Sequence, residues 1–273
     1  MRIDSEDREF WIQKRAADAA AHTAEVIKAR NIAMINESCG IDGNWVTVCP
    51  VSKTTALNAT SIYFVNGIWN DYLDAMESTL DIANLIGADV TLVYSSNKGW
   101  NLIDAADIAI AGLKTAAVCT LASNVKKDLN NNRKVILIGH SRGAAVVQSA
   151  VESMYIQEWQ GSNLAILTLG GFSKMPGKWK VPKSAMVHSY AQASSRTFDM
   201  VPFLRHELGE AFDLRIVFKG ANLLLNPKFY RFAFKLMTGN IHAIKNYRIA
   251  IQVFMADYRN GRRGRNSQTL WFY

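Results

Sequence analysis

The sequence predicts an α/β fold, a mostly parallel β-sheet with helices on both faces, preceded by an N-terminal helical segment. Three observations carry that expectation. From Ser61 onward, short β-rich runs alternate with longer segments of helical periodicity. An apolar run, Val135 to Ile138, leads directly into Gly139-x-Ser141-x-Gly143 and then into the small, helix-compatible stretch Ala144-Ala-Val-Val147. The chain is 273 residues long, 49% hydrophobic and 20% charged, with 5 prolines, enough to bury one substantial core.

Residues 9–38 contain almost no Gly or Pro, and Phe10, Ala17, Ala21, Ala24, Ile27 and Ile35 fall loosely at helical spacing, which predicts a long first helix. Cys39 and Cys49 flank Asp42-Gly43, a hairpin-turn dipeptide, so the two could face each other. Ser61 to Val65 reads as a strand. Asn70 to Ile86 reads as a helix with Leu73, Met76, Leu80 and Ala83 on one stripe, and Asp89 to Tyr94 returns to strand. A helical stretch is expected from about Leu102 to Leu129 before the strand at Val135. Leu164 to Leu169, Ala185 to Tyr190 and Leu214 to Phe218 are further strand candidates. Asn226-Pro227 opens and Gly239 closes a helix over 227–238. The alternation argues βαβ units in a parallel sheet. It divides the chain into a helical extension at 1–58, an α/β domain at 59–255 and a basic tail at 256–273.

The run through Gly139, Ser141 and Gly143 has the form of a nucleophile elbow. Such a turn is so tight that a side chain two positions either side of the serine would collide with its surroundings, so glycine is required at both. Ser141 is thereby presented at the carboxyl end of its strand, where open α/β sheets bind ligands. The amide of Arg142, at the start of the following helix, supplies half of an oxyanion hole. The other half is expected from the loop after an early strand. Tyr63-Phe-Val-Asn66-Gly67-Ile68-Trp69 fits, with the amide of Ile68 as donor and Gly67 allowing close approach; a plain Asn-Gly turn is the alternative.

A serine needs a base, and the base an orienting acid. In the α/β-hydrolase arrangement the acid and then the histidine follow the serine along the chain. Asp199, in Arg196-Thr-Phe-Asp199-Met-Val-Pro202, stands at loop distance from the strand through Tyr190, with Asp213 as a fallback. Of the 5 histidines, His22 lies upstream and His140 adjoins the nucleophile. His188 would sit inside a strand. His242 is the preferred base and His206 its rival.

Taken together, Gly-His-Ser141-Arg-Gly, Thr168-Leu-Gly-Gly-Phe172, Phe198-Asp199-Met-Val-Pro202 and His242 resemble the class 3 lipases of the α/β-hydrolase superfamily over roughly residues 60 to 250. The resemblance implies Ser141, Asp199 and His242 as the triad and fatty-acid esters as substrates. Gly171-Phe172 stands where that family usually carries a proline. A lipid- or partner-binding protein on an inactive hydrolase scaffold is the competing reading.

The chain carries 31 Lys and Arg against 23 Asp and Glu, and the excess is uneven: 14 against 18 over residues 1–173, and 17 against 5 over 174–273. A cationic last third suggests an anionic partner, either a phospholipid surface or nucleic acid, with solubility alone as the alternative reason for a basic face. The helix expected at 227–238 pairs aromatic residues with Lys228, Arg231 and Lys235, and could be an interfacial lid or a core helix with a solvated basic face. Arg262-Arg-Gly-Arg265 is too short a basic run to argue for nucleic acid. Cys39, Cys49 and Cys119 have no metal-type spacing and read as reduced thiols, and the chemistry calls for no metal or other cofactor. The segment Met1 to Phe10 is dense in charge and lacks a secretory layout, and no uncharged stretch reaches the ~20 residues of a membrane span. The expectation is a chain made in the cytoplasm, with any export by a signal-less route.

Overall fold

The computed structural model describes residues 41–54, 57, 59–67, 70–96, 114–171, 176–194, 244–262 and 264–272. In chain order these form β1 (Trp45–Val48), β2 (Thr60–Val65), α1 (Tyr72–Ile86), β3 (Val90–Val93) and α2 (Ala116–Asn130). There follow β4 (Lys134–His140), α3 (Arg142–Glu152), the one-turn α4 (Glu158–Gly161), β5 (Leu164–Leu169), β6 (Met186–Ser194), α5 (Arg248–Arg259) and β7 (Arg265–Phe272). The strands make one seven-stranded sheet in the order β1-β3-β2-β4-β5-β6-β7. Among the described residues only the β1–β3 pairing is antiparallel; the other pairings are parallel.

Alternation along each strand sends side chains to two separate cores. Ile136 and Ile138 of β4 pack with Phe64, Leu92 and Leu167 beneath α1 and α5. Val135 and Leu137, one residue out of phase, pack with Val65, Ile166 and Val187 beneath α2 and α3. A sheet covered on both faces buries its central strands completely, which is why β5 reads Leu-Ala-Ile-Leu-Thr-Leu with no polar alternation.

Helix boundaries follow from local chemistry. Asp71 caps α1: its carboxylate accepts from the Asp74 amide at 2.8 Å while the Asp74 carboxylate accepts from the Asp71 amide at 3.3 Å. Gly87, at φ 73°, closes the helix in the left-handed region, its N–H on the Ala83 carbonyl at 2.8 Å. The buried stripe of α1 runs through Ala75, Met76, Ile82 and Ala83, whereas Leu73, expected on that stripe, is exposed. The helix expected at 102–129 does not run through Lys114 and Thr115; Thr115 instead caps α2, accepting from the Val118 amide at 3.2 Å.

The sheet also reaches beyond the expected domain limits of 59–255. The segment expected as a helical extension supplies β1, and the segment expected as a tail supplies β7, paired in parallel with β6 over Val187 to Ser194. Asp42-Gly43 is a turn with Gly43 at φ 83°, and it leads into β1, which pairs with β3. Cys39, the 9–38 helix, the 214–218 strand and the 227–238 helix lie outside the described residues.

This topology fixes where a site can form. The connection from β2 runs through α1 to β3 on one side, and that from β4 runs through α3 to β5 on the other, with α1 and α3 on opposite faces. The two connections therefore diverge at the carboxyl ends of β2 and β4, the switch point at which open α/β sheets bind ligands. Strand order, the antiparallel first strand and the helix-covered faces give the chain a fold of the α/β-hydrolase type.

Candidate active site

Ser141 stands at that switch point, directly after β4, and is buried. Its backbone lies at φ 54°, ψ −121°, one of two non-glycine residues with positive φ among those described. An L-residue holds such a conformation only when its surroundings enforce it, at about 1–3 kcal/mol. Here the enforcement is visible. The Ser141 amide still donates to the Leu169 carbonyl at 2.9 Å, continuing the β4–β5 ladder, while its carbonyl already accepts from the Ala144 amide at 3.1 Å, starting α3. The chain must pass from strand to helix within a single residue.

Both flanking glycines are explained by contact. A Cβ on Gly139 would lie 2.7 Å from the Ala144 Cα and 2.8 Å from the Gly143 carbonyl oxygen. A Cβ on Gly143 would fall on the Val65 carbonyl oxygen, 2.7 Å from its carbon and 2.8 Å from the Asn66 carbonyl oxygen. Gly143 thus lets α3 press against the end of β2. The loop leaving β2 closes from the other side: a Cβ on Gly67 would lie 3.0 Å from the Ser141 Cβ and 2.9 Å from His140 Nδ1. Gly67 therefore sits directly against Ser141. Ile68, the expected donor, lies outside the described residues.

Arg142 opens α3, so its amide belongs to the first-turn N–H groups that a helix does not itself use and that favour an anion. Its side chain is buried, and Nη1 donates to the Ser96 carbonyl at 2.5 Å. The guanidinium also acts on Tyr94: burial and the Asp71 carboxylate push the Tyr94 hydroxyl up from its ordinary value, and Arg142 opposes them. Asn66 is 1% exposed. Its Oδ1 accepts from the Ser95 amide at 2.7 Å, and its Nδ2 donates to the Ser95 carbonyl at 3.0 Å and the Gly67 carbonyl at 3.1 Å. The sequence marked Asn66 only as half of a turn and Arg142 only for its amide. A side chain spanning from one strand end to another leaves no local sequence signal.

Asp199, His206 and His242 lie outside the described residues. Two other histidines are placed. His140 is buried with its ring edge toward Tyr247, centroids 6.0 Å apart. His188 lies inside β6 as expected, packed edge-on against Phe254 at 5.6 Å and beside Tyr190 at 6.2 Å. Paired in register with Leu167, which itself pairs with Ile138, it lies three positions short of the level of Ser141. Burial pulls its pKa down, against the attraction of Asp257. His188 is a core group. Among the described residues no cluster of three or more His, Cys, Asp or Glu could hold a metal, and no helix is long and apolar enough to cross a membrane.

No family model matches this chain, and no curated protein matches it. Solved structures that resemble it include a mature-form lipase of Bacillus licheniformis, 22% identical, covering 49% of this chain and 49% of that one at a TM-score of 0.30. A cutinase of Trichoderma reesei bound to a phosphonate inhibitor is 15% identical over 58% of this chain and 69% of its own, also at 0.30. A poly(3-hydroxybutyrate) depolymerase of Bordetella parapertussis is 14% identical over 83% of this chain and 76% of its own, at 0.38. The match spans about half the length of the Bacillus lipase.

Proposed function

We propose that this protein is a serine hydrolase of carboxylic esters, acting through an acyl-enzyme. The observation that carries the reading is Ser141 held at positive φ between Gly139 and Gly143, with Gly67 against its side chain. A buried turn held in so costly a conformation serves to present a nucleophile beside oxyanion donors. In the proposed mechanism Ser141 Oγ attacks the ester carbonyl and its proton passes to His242, oriented by Asp199. The carbonyl oxygen becomes an oxyanion held by the Arg142 and Ile68 amides. The tetrahedral adduct collapses to acyl-Ser141 as His242 returns the proton to the leaving alcohol, and water repeats the sequence to release the acid.

The resemblance to class 3 lipases supports Asp199 and His242 in these roles and fatty-acid esters as substrates. The cationic last third of the chain favours an anionic lipid surface. The test is labelling by a fluorophosphonate together with hydrolysis of p-nitrophenyl esters from acetate to palmitate. Wild type should be labelled and active, and Ser141→Ala should be neither, while keeping its fold. A wild type that is neither labelled nor active refutes the reading and leaves the inactive scaffold.

A further inference from the structure

We propose that the side chains of Asn66 and Arg142 are positioning groups that set the two halves of the oxyanion site relative to each other by clasping one strip of backbone, Ser95-Ser96, at the exit of β3. The inference rests on the hydrolase reading and concerns how that site is kept in register.

The two halves come from different chain segments. One is the loop after β2, which presses Gly67 on Ser141; the other is the first turn of α3. Neither is tied to the other by the sheet ladder, because β2 ends at Val65 and β4 at His140. Both reach the same third segment. Asn66 uses both ends of its amide on Ser95, taking the N–H at 2.7 Å and giving to the carbonyl at 3.0 Å, and its Nδ2 also holds the Gly67 carbonyl at 3.1 Å. Arg142 comes from the far side. Since β2 lies between β3 and β4, its side chain must pass over the end of β2 to give Nη1 to the Ser96 carbonyl.

The strip is itself anchored. Asp42 accepts from the Ser96 amide at 2.9 Å and from the Ala117 amide at 3.3 Å, fixing it to the start of α2. Ser95-Ser96 is thus a fixed rail gripped by one side chain from each half of the site. The residue types fit the task. Aspartate at 66 would lack N–H donors and set a charge against two carbonyls. Lysine at 142 lacks the planar fork that allows a fixed approach to a carbonyl. A guanidinium that is 4% exposed is costly to bury, which suits a group held for placement.

The experiment compares Asn66→Asp, Arg142→Lys and the double variant with wild type on a soluble short-chain p-nitrophenyl ester, with thermal melts confirming that each is folded at the assay temperature. A donor amide displaced by about 1 Å acts on the transition state far more than on substrate binding. Each single variant should therefore lose about ten- to hundredfold in kcat with KM within about twofold. Because both grip the same rail, the double variant should lose clearly less than the product of the two single losses. If Asn66→Asp does not fold, the neutral and smaller Asn66→Ser carries the same readout. An active wild type whose single variants keep kcat within about threefold, or whose double variant shows the full product of losses, overturns the positioning role alone. A wild type that neither turns over ester nor takes a fluorophosphonate refutes the hydrolase reading, and the positioning role with it.

Discussion

Replacing Gly143 with alanine tests the elbow where it is most tightly built. The added methyl would fall on the Val65 carbonyl, 2.7 Å from its carbon and 2.8 Å from the Asn66 carbonyl oxygen. Ordinary carbon contacts are about 3.5–4.0 Å, so relief requires a movement of about 1 Å. The atoms in the way are backbone, and β2 is held by β3 on one side and β4 on the other. The start of α3 must therefore move, and the Arg142 amide with it. Overpacking against rigid backbone belongs at the upper end of the usual range, about 3 kcal/mol. For a domain of this size that corresponds to a fall in melting temperature of about 6–12 °C, and an amide moved by about 1 Å should cost on the order of 100-fold in turnover. Gly177→Ala is the matched control, since a Cβ there meets nothing within 4 Å. Thermal melts followed by circular dichroism, with ester turnover alongside, give both numbers. Should Gly143→Ala melt within about 2 °C of wild type, α3 is not packed on the end of β2 as described.

Asp199→Asn should reduce turnover on the order of 10⁴-fold, and His242→Ala should be inactive while His206→Ala keeps activity; a dead His206→Ala with active His242→Ala would move the base. The Tyr190 hydroxyl is buried with no hydrogen-bond partner among the described residues, and burial, with Asp257 adding to it, pushes it up from 10.0 to about 12. The folded state therefore keeps that proton while the unfolded chain releases it, so stability falls as pH rises above about 10, by up to about 2–3 kcal/mol near pH 12. Tyr190→Phe should remove that loss and be neutral or stabilising at pH 7; denaturant titrations showing the same alkaline loss in both proteins would refute it. For His188 the sign is opposite. Its folded pKa lies below 6.5, so the unfolded chain binds the proton first and stability falls as pH drops below about 6.5. His188→Phe should flatten that acid slope, and an unchanged slope would show that His188 takes up its proton as readily in the folded protein as in the unfolded chain, refuting the lowered pKa.

Much of the sheet was legible because its central strands are apolar throughout. Leu164 to Leu169 was expected and found at the same limits, and Ser61 to Val65 differs by one residue. The edges were not legible, for a physical reason. A strand with one paired side can be short or polar, so β1, four residues long, and β7, reading Arg-Asn-Ser-Gln-Thr-Leu-Trp-Phe, look like loop and tail. The α5 segment carries its own helical signal: Ala250, Ile251, Phe254, Met255 and Tyr258 repeat at helical spacing and are all buried.

The site divides along the same line between local and non-local information. Gly139, Ser141 and Gly143 are legible because each glycine answers a constraint set within a few residues, or by the strand against which the motif must pack. Asn66 and Arg142 gain their roles only from Ser95 and Ser96, 29 and 46 positions away, once strand order has brought three chain segments to one end of the sheet. A motif can name a nucleophile, because presenting one is a matter of local backbone geometry. Holding two donor amides at a fixed separation requires a reference outside both segments, and in the proposed site that reference is the exit of β3. The elbow alone is therefore not sufficient for the proposed chemistry: a chain with the same Gly-His-Ser-Arg-Gly but without a side chain at position 66 able to grip Ser95 would present the nucleophile to a looser oxyanion site.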